Sequence, residues 1–261
     1  MKSALLISTY NWPEALELVF QSILAQKHFP DELLIADDGS SGTTKKLINE
    51  FQLQCPIPLK HIWHEDLGFR KAAILNKTIA QTSADYIIQV DGDCILHPYF
   101  VKDHLQASGQ GHFLFGSRVN LREEFLPTLF QQRIYKFHFL SQGIRNRTRN
   151  LRIPFFGKLY VARRTFSKKF RGCNTSYFRK DFIAVNGYNE AFEGWGREDS
   201  DLALRLLNLG LRMKRLRYRG ILYHIHHKIK SKAQLEYNDA IEKNTIKNKL
   251  VRCEKGIDQY L

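Results

Sequence analysis

The sequence predicts an α/β fold with a mostly parallel, doubly wound sheet and helices on both faces. Three observations predict it. Apolar runs of strand length alternate with helical patterns through the first part of the chain. Each run ends in a polar, turn-rich cluster. The 261 residues, 43% hydrophobic and 25% charged, suffice for one large domain with a sizeable core. This composition excludes disordered, collagen-like and disulfide-scaffold classes, and no apolar run is long enough to span a bilayer as a helix.

The elements follow in order. Ala4 to Thr9 is a first strand. Trp12-Pro13 opens a helix with Leu16, Val19, Phe20 and Ile23 on one buried face. Leu33 to Ala36 is a second strand, stopped by Asp37-Asp38-Gly39-Ser40-Ser41-Gly42, and Thr43 to Phe51 is helical. Leu59 to Trp63 reads as a third strand, Phe69 to Gln81 as a helix, and Tyr86 to Val90 as a fourth strand ending at Asp91-Gly92-Asp93. Repeated strand-helix alternation implies right-handed crossovers. Ligands then sit beyond the carboxyl ends of the strands, where Ser8-Thr9-Tyr10-Asn11, Asp37 to Ser40 and Asp91 to Asp93 all fall.

The second half differs. Phe113 to Gly116 is a further strand. Phe125 to Lys180 carries 14 Lys and Arg and no Asp or Glu. Within it Leu126, Leu129, Phe130, Ile134, Phe137, Leu140 and Ile144 recur at helical spacing, and Arg145, Arg147, Arg149 and Arg152 follow. That pattern fits a basic amphipathic element on an anionic membrane face, or a core helix followed by a solvated basic loop. Leu202 to Leu209, closed by Gly210, is a strong helix. Met213 to Leu222 reads as extended, and the tail from Ser231 to Leu261 as helical.

Net charge is +14, from 40 basic and 26 acidic residues, which calls for an anionic partner or surface. Cys55, Cys94, Cys173 and Cys253 form no CxxC pair and read as thiols in a reducing compartment, a cytoplasm. The N-terminus does not read as a signal peptide.

Three groups of residues bear chemistry. Asp91-Gly92-Asp93, just past a strand, suits a hard divalent cation, Mg2+ or Mn2+, and a ribose. Gly194-Trp195-Gly196 presents an indole face on which a sugar can stack, directly before the carboxylates Glu198, Asp199 and Asp201. The same carboxylates also suit a helix start electrostatically. His224, His226 and His227 after an extended segment point to a metal ligand or phosphate contact. GxSxG, GxGxxG and GxxxxGK[ST] motifs are absent.

Together these residues resemble a known family. Ile7-Ser8-Thr9-Tyr10-Asn11, Ser22 to Gln26, Ala36-Asp37-Asp38-Gly39-Ser40, His64 to Arg70, Ile74-Leu75-Asn76 and Asp91-Gly92-Asp93 resemble family 2 glycosyltransferases of the GT-A, Rossmann-like fold. Gly172-Cys173-Asn174 through Gly194-Trp195-Gly196-Arg197-Glu198-Asp199 to Tyr223-His224 resembles the carboxyl half of β1,4-galactosyltransferases and bacterial chondroitin polymerase. The resemblance runs from about residue 3 to 227 and leaves out the basic stretch 125–170 and the tail. It implies a single catalytic domain: a nucleotide-sugar-binding half (1–108), an acceptor-binding and catalytic half with the basic insertion (109–230), and a helical tail (231–261).

Carried over, the resemblance implies that Ser8, Tyr10 and Asp38 hold base and ribose and that Arg70 reaches the base or diphosphate. Asp91 would contact ribose or metal. Asp93 would ligate the cation with His224, His226 being the fallback. Trp195 would stack on a sugar, with Asn174 and Gly196 in the same acceptor segment. Asp199 would be the general base and Glu198 would bind a sugar hydroxyl. Arg197 stands where relatives often carry Gly. The implied reaction is inverting, Mn2+- or Mg2+-dependent transfer of a hexose or N-acetylhexosamine. It would run from a UDP-sugar to a glycan or lipid-linked glycan of a bacterial surface polysaccharide or lipopolysaccharide. The enzyme would sit on the inner leaflet of the plasma membrane. Two other readings are a GT-A-like nucleotidyltransferase and a basic nucleic-acid-binding protein. The Gly-Trp-Gly element opposes the first. Acidic strand ends that would repel phosphates, and the lack of any nucleic-acid-binding motif, oppose the second.

Overall fold

The computed structural model describes residues 1–228 and 233–261. Among the described residues the main sheet has seven strands. The expected strand at Phe113 to Gly116 lies in this sheet. So do the first four expected strands, β1 (Ser3–Thr9), β2 (Glu32–Asp37), β3 (Leu59–Trp63) and β4 (Tyr86–Asp91), paired in parallel in the order β3-β2-β1-β4. Between them run α1 (Pro13–Leu24), α2 (Gly42–Gln52) and α3 (Lys71–Ala80). Alternation within β1 explains the layering. Leu5 and Ile7 face the apolar side of α1 and α2, through Leu16, Phe20, Ile48 and Phe51. Ala4 and Leu6 face α3, through Ile74, Leu75 and Ile79. Both faces are covered, so the strands read as continuous apolar runs.

After β4 the chain forms β5 (Cys94–Leu96), α4 (Phe100–Ala107), β6 (His112–Gly116), β7 (Arg118–Asn120), α5 (Leu126–Gln131) and α6 (Pro154–Gly157). Then come β8 (Asn174–Phe178), α7 (Arg179–Ala184), α8 (Glu198–Asn208), β9 (Arg212–Leu216), β10 (Leu222–His224) and α9 (Leu235–Asn248). Strand β8 runs antiparallel to both β4 and β6, and β9 closes the edge in parallel with β6. A small second sheet, β5-β10-β7, sits at the carboxyl end of β4.

Three expectations change. The apolar residues spaced from Leu126 to Ile144 do not form one amphipathic helix. Helix α5 stops at Gln131, and Arg133 takes a left-handed backbone conformation, φ 48°. Leu129 and Ile144 are buried, and Leu126, Phe130, Ile134 and Phe137 pack on Val119 and Tyr223, so this apolar face belongs to the protein core. The extended segment from Met213 divides into β9 and β10, separated by residues 217–221. In the tail, helix covers Leu235–Asn248, followed by a short 3-10 turn at Ile257–Tyr260. Ser231 and Lys232 lie outside the described residues. All four cysteines are free.

Candidate active site

The carboxyl ends of β1 and β4, the start of α3, the second sheet and the start of α8 surround a cleft of about 660 Å3. Register brings the first pair together: Ser8 lies beside Asp91 on adjacent strands, and its hydroxyl donates to Asp91 Oδ1 at 2.7 Å. Lys71, the first residue of α3, reaches the same oxygen at 2.8 Å. Burial alone would raise the Asp91 carboxyl, but Lys71 and the two hydrogen bonds hold it below its usual range. Burial alone would lower the Lys71 ammonium. Asp91, Asp199 and Glu198 overcome that and hold it well above its ordinary value.

Asp38, at the end of β2, takes His64 Nε2 at 2.7 Å on one oxygen and the Arg70 backbone N–H at 3.0 Å on the other. Tyr10 lines the cleft, and its hydroxyl donates to Asp66 at 2.8 Å. The Arg70 side chain does not line the cleft; its guanidinium is turned onto the Glu65 carbonyl.

The cation candidates assemble through the second sheet. Strand β10 pairs antiparallel with β5, so His224 comes to Cys94 and the Ile225 N–H donates to the Asp93 carbonyl at 2.9 Å. His224 Nε2 then lies 3.7 Å and His227 Nε2 3.4 Å from Asp93 Oδ2. One ligand atom from each of these three residues falls within a 4.8 Å cluster. Burial lowers His224 below its ordinary value despite Asp93, which keeps the imidazole neutral and able to donate a lone pair. One carboxylate and two imidazoles fit Mn2+ or a similar divalent ion. His226, the expected fallback, turns toward Glu123 at 3.9 Å, and His227 takes the place beside His224.

Opposite stands the start of α8. Trp195 is 40% exposed and borders the cleft with Glu198 and Asp199. Gly196 holds φ 115° and donates its N–H to Glu198 Oε2 at 3.0 Å, so it positions the carboxylate and does not line the cleft. Asp199 accepts from the Gly172 N–H at 3.1 Å and the Tyr188 hydroxyl at 3.3 Å. A Cβ on Gly172 would lie 2.0 Å from Asp199 Oδ1, so only glycine admits this approach. Burial, then the neighbouring Asp199, pushes Glu198 up to about 7, and burial raises Asp199 as well.

Besides Arg70 and Gly196, the predicted Asn174 lies outside the cleft lining, as does Arg197. Asn174 is buried in β8, its amide donating to the carbonyls of Ser117 and Gly220 at 3.2 and 2.9 Å, so it fastens strands and does not line the cleft. Arg197 has φ 79°, a conformation that suits glycine, and its guanidinium pairs with Asp239 at 2.5 Å on α9. It ties the tail to α8 and does not shape the cleft. The sequence reading named His227 only as one of three histidines and preferred His226 as the fallback, and it missed Lys71 and Arg118, Arg145 and Arg171 on the cleft wall. For Arg145 and Arg171 the available signal was the run of basic residues without acidic ones from Phe125; Arg118 lies before that run and had none.

Known protein families match the chain from residue 4 to residue 228. Residues 158–228 match the N-terminal domain of galactosyltransferase, and residues 4–182 match glycosyl transferase family 2. Chondroitin synthase of Escherichia coli is 24% identical over 223 residues, 79% of this chain and 32% of that protein. Validoxylamine A glucosyltransferase of Streptomyces hygroscopicus subsp. limoneus is 26% identical over 230 residues, 80% and 49% of the two chains. The chain thus spans about half the length, or less, of these curated relatives. Among solved structures, S. aureus TarS in complex with UDP-GlcNAc superposes with TM-score 0.67 at 13% identity, over 100% of this chain and 69% of that one. The mannosyltransferase PcManGT from Pyrobaculum calidifontis, in complex with GDP-Man and Mn2+, gives TM-score 0.59 at 16% identity over 85% and 56%. These likenesses show that the fold is GT-A. The family match covers well over half of the residues, and the chain belongs to glycosyl transferase family 2.

Proposed function

We propose that this chain transfers a hexose or N-acetylhexosamine from a UDP-sugar, with inversion, to a glycan or lipid-linked glycan acceptor in bacterial surface polysaccharide or lipopolysaccharide synthesis. One observation carries the reading: Asp93, His224 and His227 gather at one side of a cleft whose other side holds Trp195, Glu198 and Asp199. Ser8, Tyr10, Asp38 and Asp91 would hold the nucleoside between them. Asp93, His224 and His227 would hold Mn2+ or Mg2+. The chemistry such an ion supplies when bound is neutralisation of the charge that grows on the departing diphosphate. Asp199 takes the proton of the acceptor hydroxyl as that oxygen attacks the anomeric carbon from the face opposite the diphosphate. Lys71 keeps the three carboxylates around it from repelling one another and the donor. Trp195 stacks on a sugar face. A single displacement converts an α-linked donor into a β-linked product. The test is UDP release from a panel of UDP-sugars with glycan acceptors. Asp199→Asn is expected to lose transfer by about a hundredfold or more and to keep UDP binding. Retained transfer, or loss of both together, contradicts the role given to Asp199.

We also infer attachment to the anionic inner leaflet. With most apolar residues of 126–144 used in the core, Phe139 and Leu140 stay exposed and further exposed apolar surface follows. Phe155 is 71% exposed, Leu159 74% and Val161 65%. Exposed Lys158, Arg163, Arg164, Lys168 and Lys169 flank them, with no acidic residue in the segment. Among the described residues no helix is long and apolar enough to cross a membrane. An apolar loop with a basic surround suits shallow insertion among acidic head groups, each nearby Lys or Arg adding about 1 kcal/mol.

A further inference from the structure

Three arginines stand on one wall of the cleft, Arg118, Arg145 and Arg171. Local structure gathers them. The Arg145 N–H donates to the Asn120 carbonyl at 2.8 Å, which draws the segment after Ile144 against β7. Arg149 lies behind, its guanidinium donating to the Arg118 carbonyl at 3.1 Å. Arg171 directly precedes Gly172, whose N–H is on Asp199. Burial, then the Arg118 charge, holds the Arg171 guanidinium below its ordinary value. Among the described residues the ion-paired arginines are Arg133, Arg152, Arg197, Arg205 and Arg252, so none of these four has a carboxylate partner.

Like charges crowded with no carboxylate at ion-pair distance repel one another, and a bound anion offsets that repulsion. The donor does not account for this excess. A nucleotide sugar's diphosphate carries roughly two negative charges; a divalent ion held by the Asp93 carboxylate would offset about one of them and a single arginine the other, which leaves the remaining arginines in excess. Lys71 is already committed to Asp91, Asp199 and Glu198. The position of Arg171 beside the base places the remaining positive charge near the attacking hydroxyl. An acidic acceptor must also approach Asp199 and Glu198, whose repulsion the arginines would counter. Resting on the glycosyl-transfer reading above, we infer that this wall is an acceptor subsite for an anionic group, a carboxylate or phosphate borne near the hydroxyl that is glycosylated.

The test is calorimetric titration of short glycans into the chain with UDP and Mn2+ saturating, so that the donor pocket is filled. The probes are a uronate-bearing tetrasaccharide, the same tetrasaccharide with its carboxylates reduced to alcohols, and a glycerol phosphate oligomer. We expect at least one anionic probe to bind about tenfold tighter or more than the neutral one. Which of them binds tells carboxylate from phosphate. The preference should vanish in Arg118→Ala/Arg145→Ala/Arg171→Ala and weaken in Arg145→Ala alone, whose side chain is exposed and makes no hydrogen bond among the described residues. It should persist in Lys46→Ala/Lys243→Ala/Lys247→Ala, which removes as much exposed positive charge elsewhere. UDP affinity should be unchanged in all three variants. Equal or absent binding of the three probes, or loss of the preference in the lysine variant, overturns the inference. So does weakened UDP binding in Arg145→Ala, which would assign the arginines to the donor diphosphate. A wild-type chain that binds no UDP removes the glycosyl-transfer reading itself, and this shows before any glycan is added.

Discussion

Glu198 and Asp199 share one buried corner with Asp91 and a single ammonium, that of Lys71. Burial, then the charge of Asp199, pushes Glu198 from its ordinary 4.5 up to about 7. The folded state therefore keeps a proton that the unfolded chain gives up. That stabilisation is complete below about pH 4.5 and is lost as pH rises through about 7. Urea denaturation at about pH 5 and about pH 8 should show the wild type less stable at the higher pH, and Glu198→Gln should shrink the difference. An unchanged difference would place the proton elsewhere. Asp93, His224, Glu198 and Asp199 were legible because each sits in a motif. Lys71 was not, since a lysine at a helix start reads as solvated, and its contact with Asp91 spans 20 residues of sequence. Neither was the choice of His227 over His226. Strict alternation sets residues 224 and 226 on one side, but β10 ends at His224 and the pleat ends with it.

Helix α8 carries both carboxylates in its first turn, so its seating sets their geometry. A buried pair fixes that seating. Arg205 Nε donates to Asp201 at 2.8 Å, and Nη1 donates to the carbonyls of Val185 and Gly187 at 2.6 and 2.8 Å. The Thr245 hydroxyl donates to the other Asp201 oxygen at 2.6 Å, from α9. Arg205→Ala leaves Asp201 buried without its counter-charge and should cost about 3–5 kcal/mol, read from denaturant midpoints. A loss below about 1 kcal/mol would mean that the pair is not what seats α8. Strands β1 to β4 were legible as apolar runs. Strand β8 was not, because Asn-Thr-Ser-Tyr-Phe looks like a loop. Its polar side chains are satisfied inside: Ser176 meets Tyr86 and His104 at 2.8 Å each, and the Thr175 hydroxyl donates to the Leu114 carbonyl at 2.8 Å. Hydropathy misses a strand whose burial is built on hydrogen bonds. The helical spacing after Leu126 erred the other way, since periodicity reports which residues are apolar but not that Arg133 reverses its φ.

Across the whole molecule the +14 charge is unevenly placed, and the segment from Phe125 to Lys180 supplies 14 of the 40 basic residues with no acid to offset them. Vesicles containing acidic lipid should therefore sediment the chain at low salt, and neutral vesicles should not. Phe155→Ser/Leu159→Ser should lower the bound fraction several-fold without changing UDP binding. Equal sedimentation by neutral vesicles, or no effect of the double substitution, contradicts the inferred surface. The cleft stands on the main sheet, whose strand ends carry Ser8 and Asp91, and the small second sheet brings His224 and His227 to Asp93. The most direct test of that arrangement is calorimetric titration of UDP with Mn2+ and then with EDTA, for the wild type and Asp93→Ala. The account predicts binding that needs the metal and weakens by about a hundredfold or more in the variant. Binding unchanged by EDTA and by Asp93→Ala would contradict it.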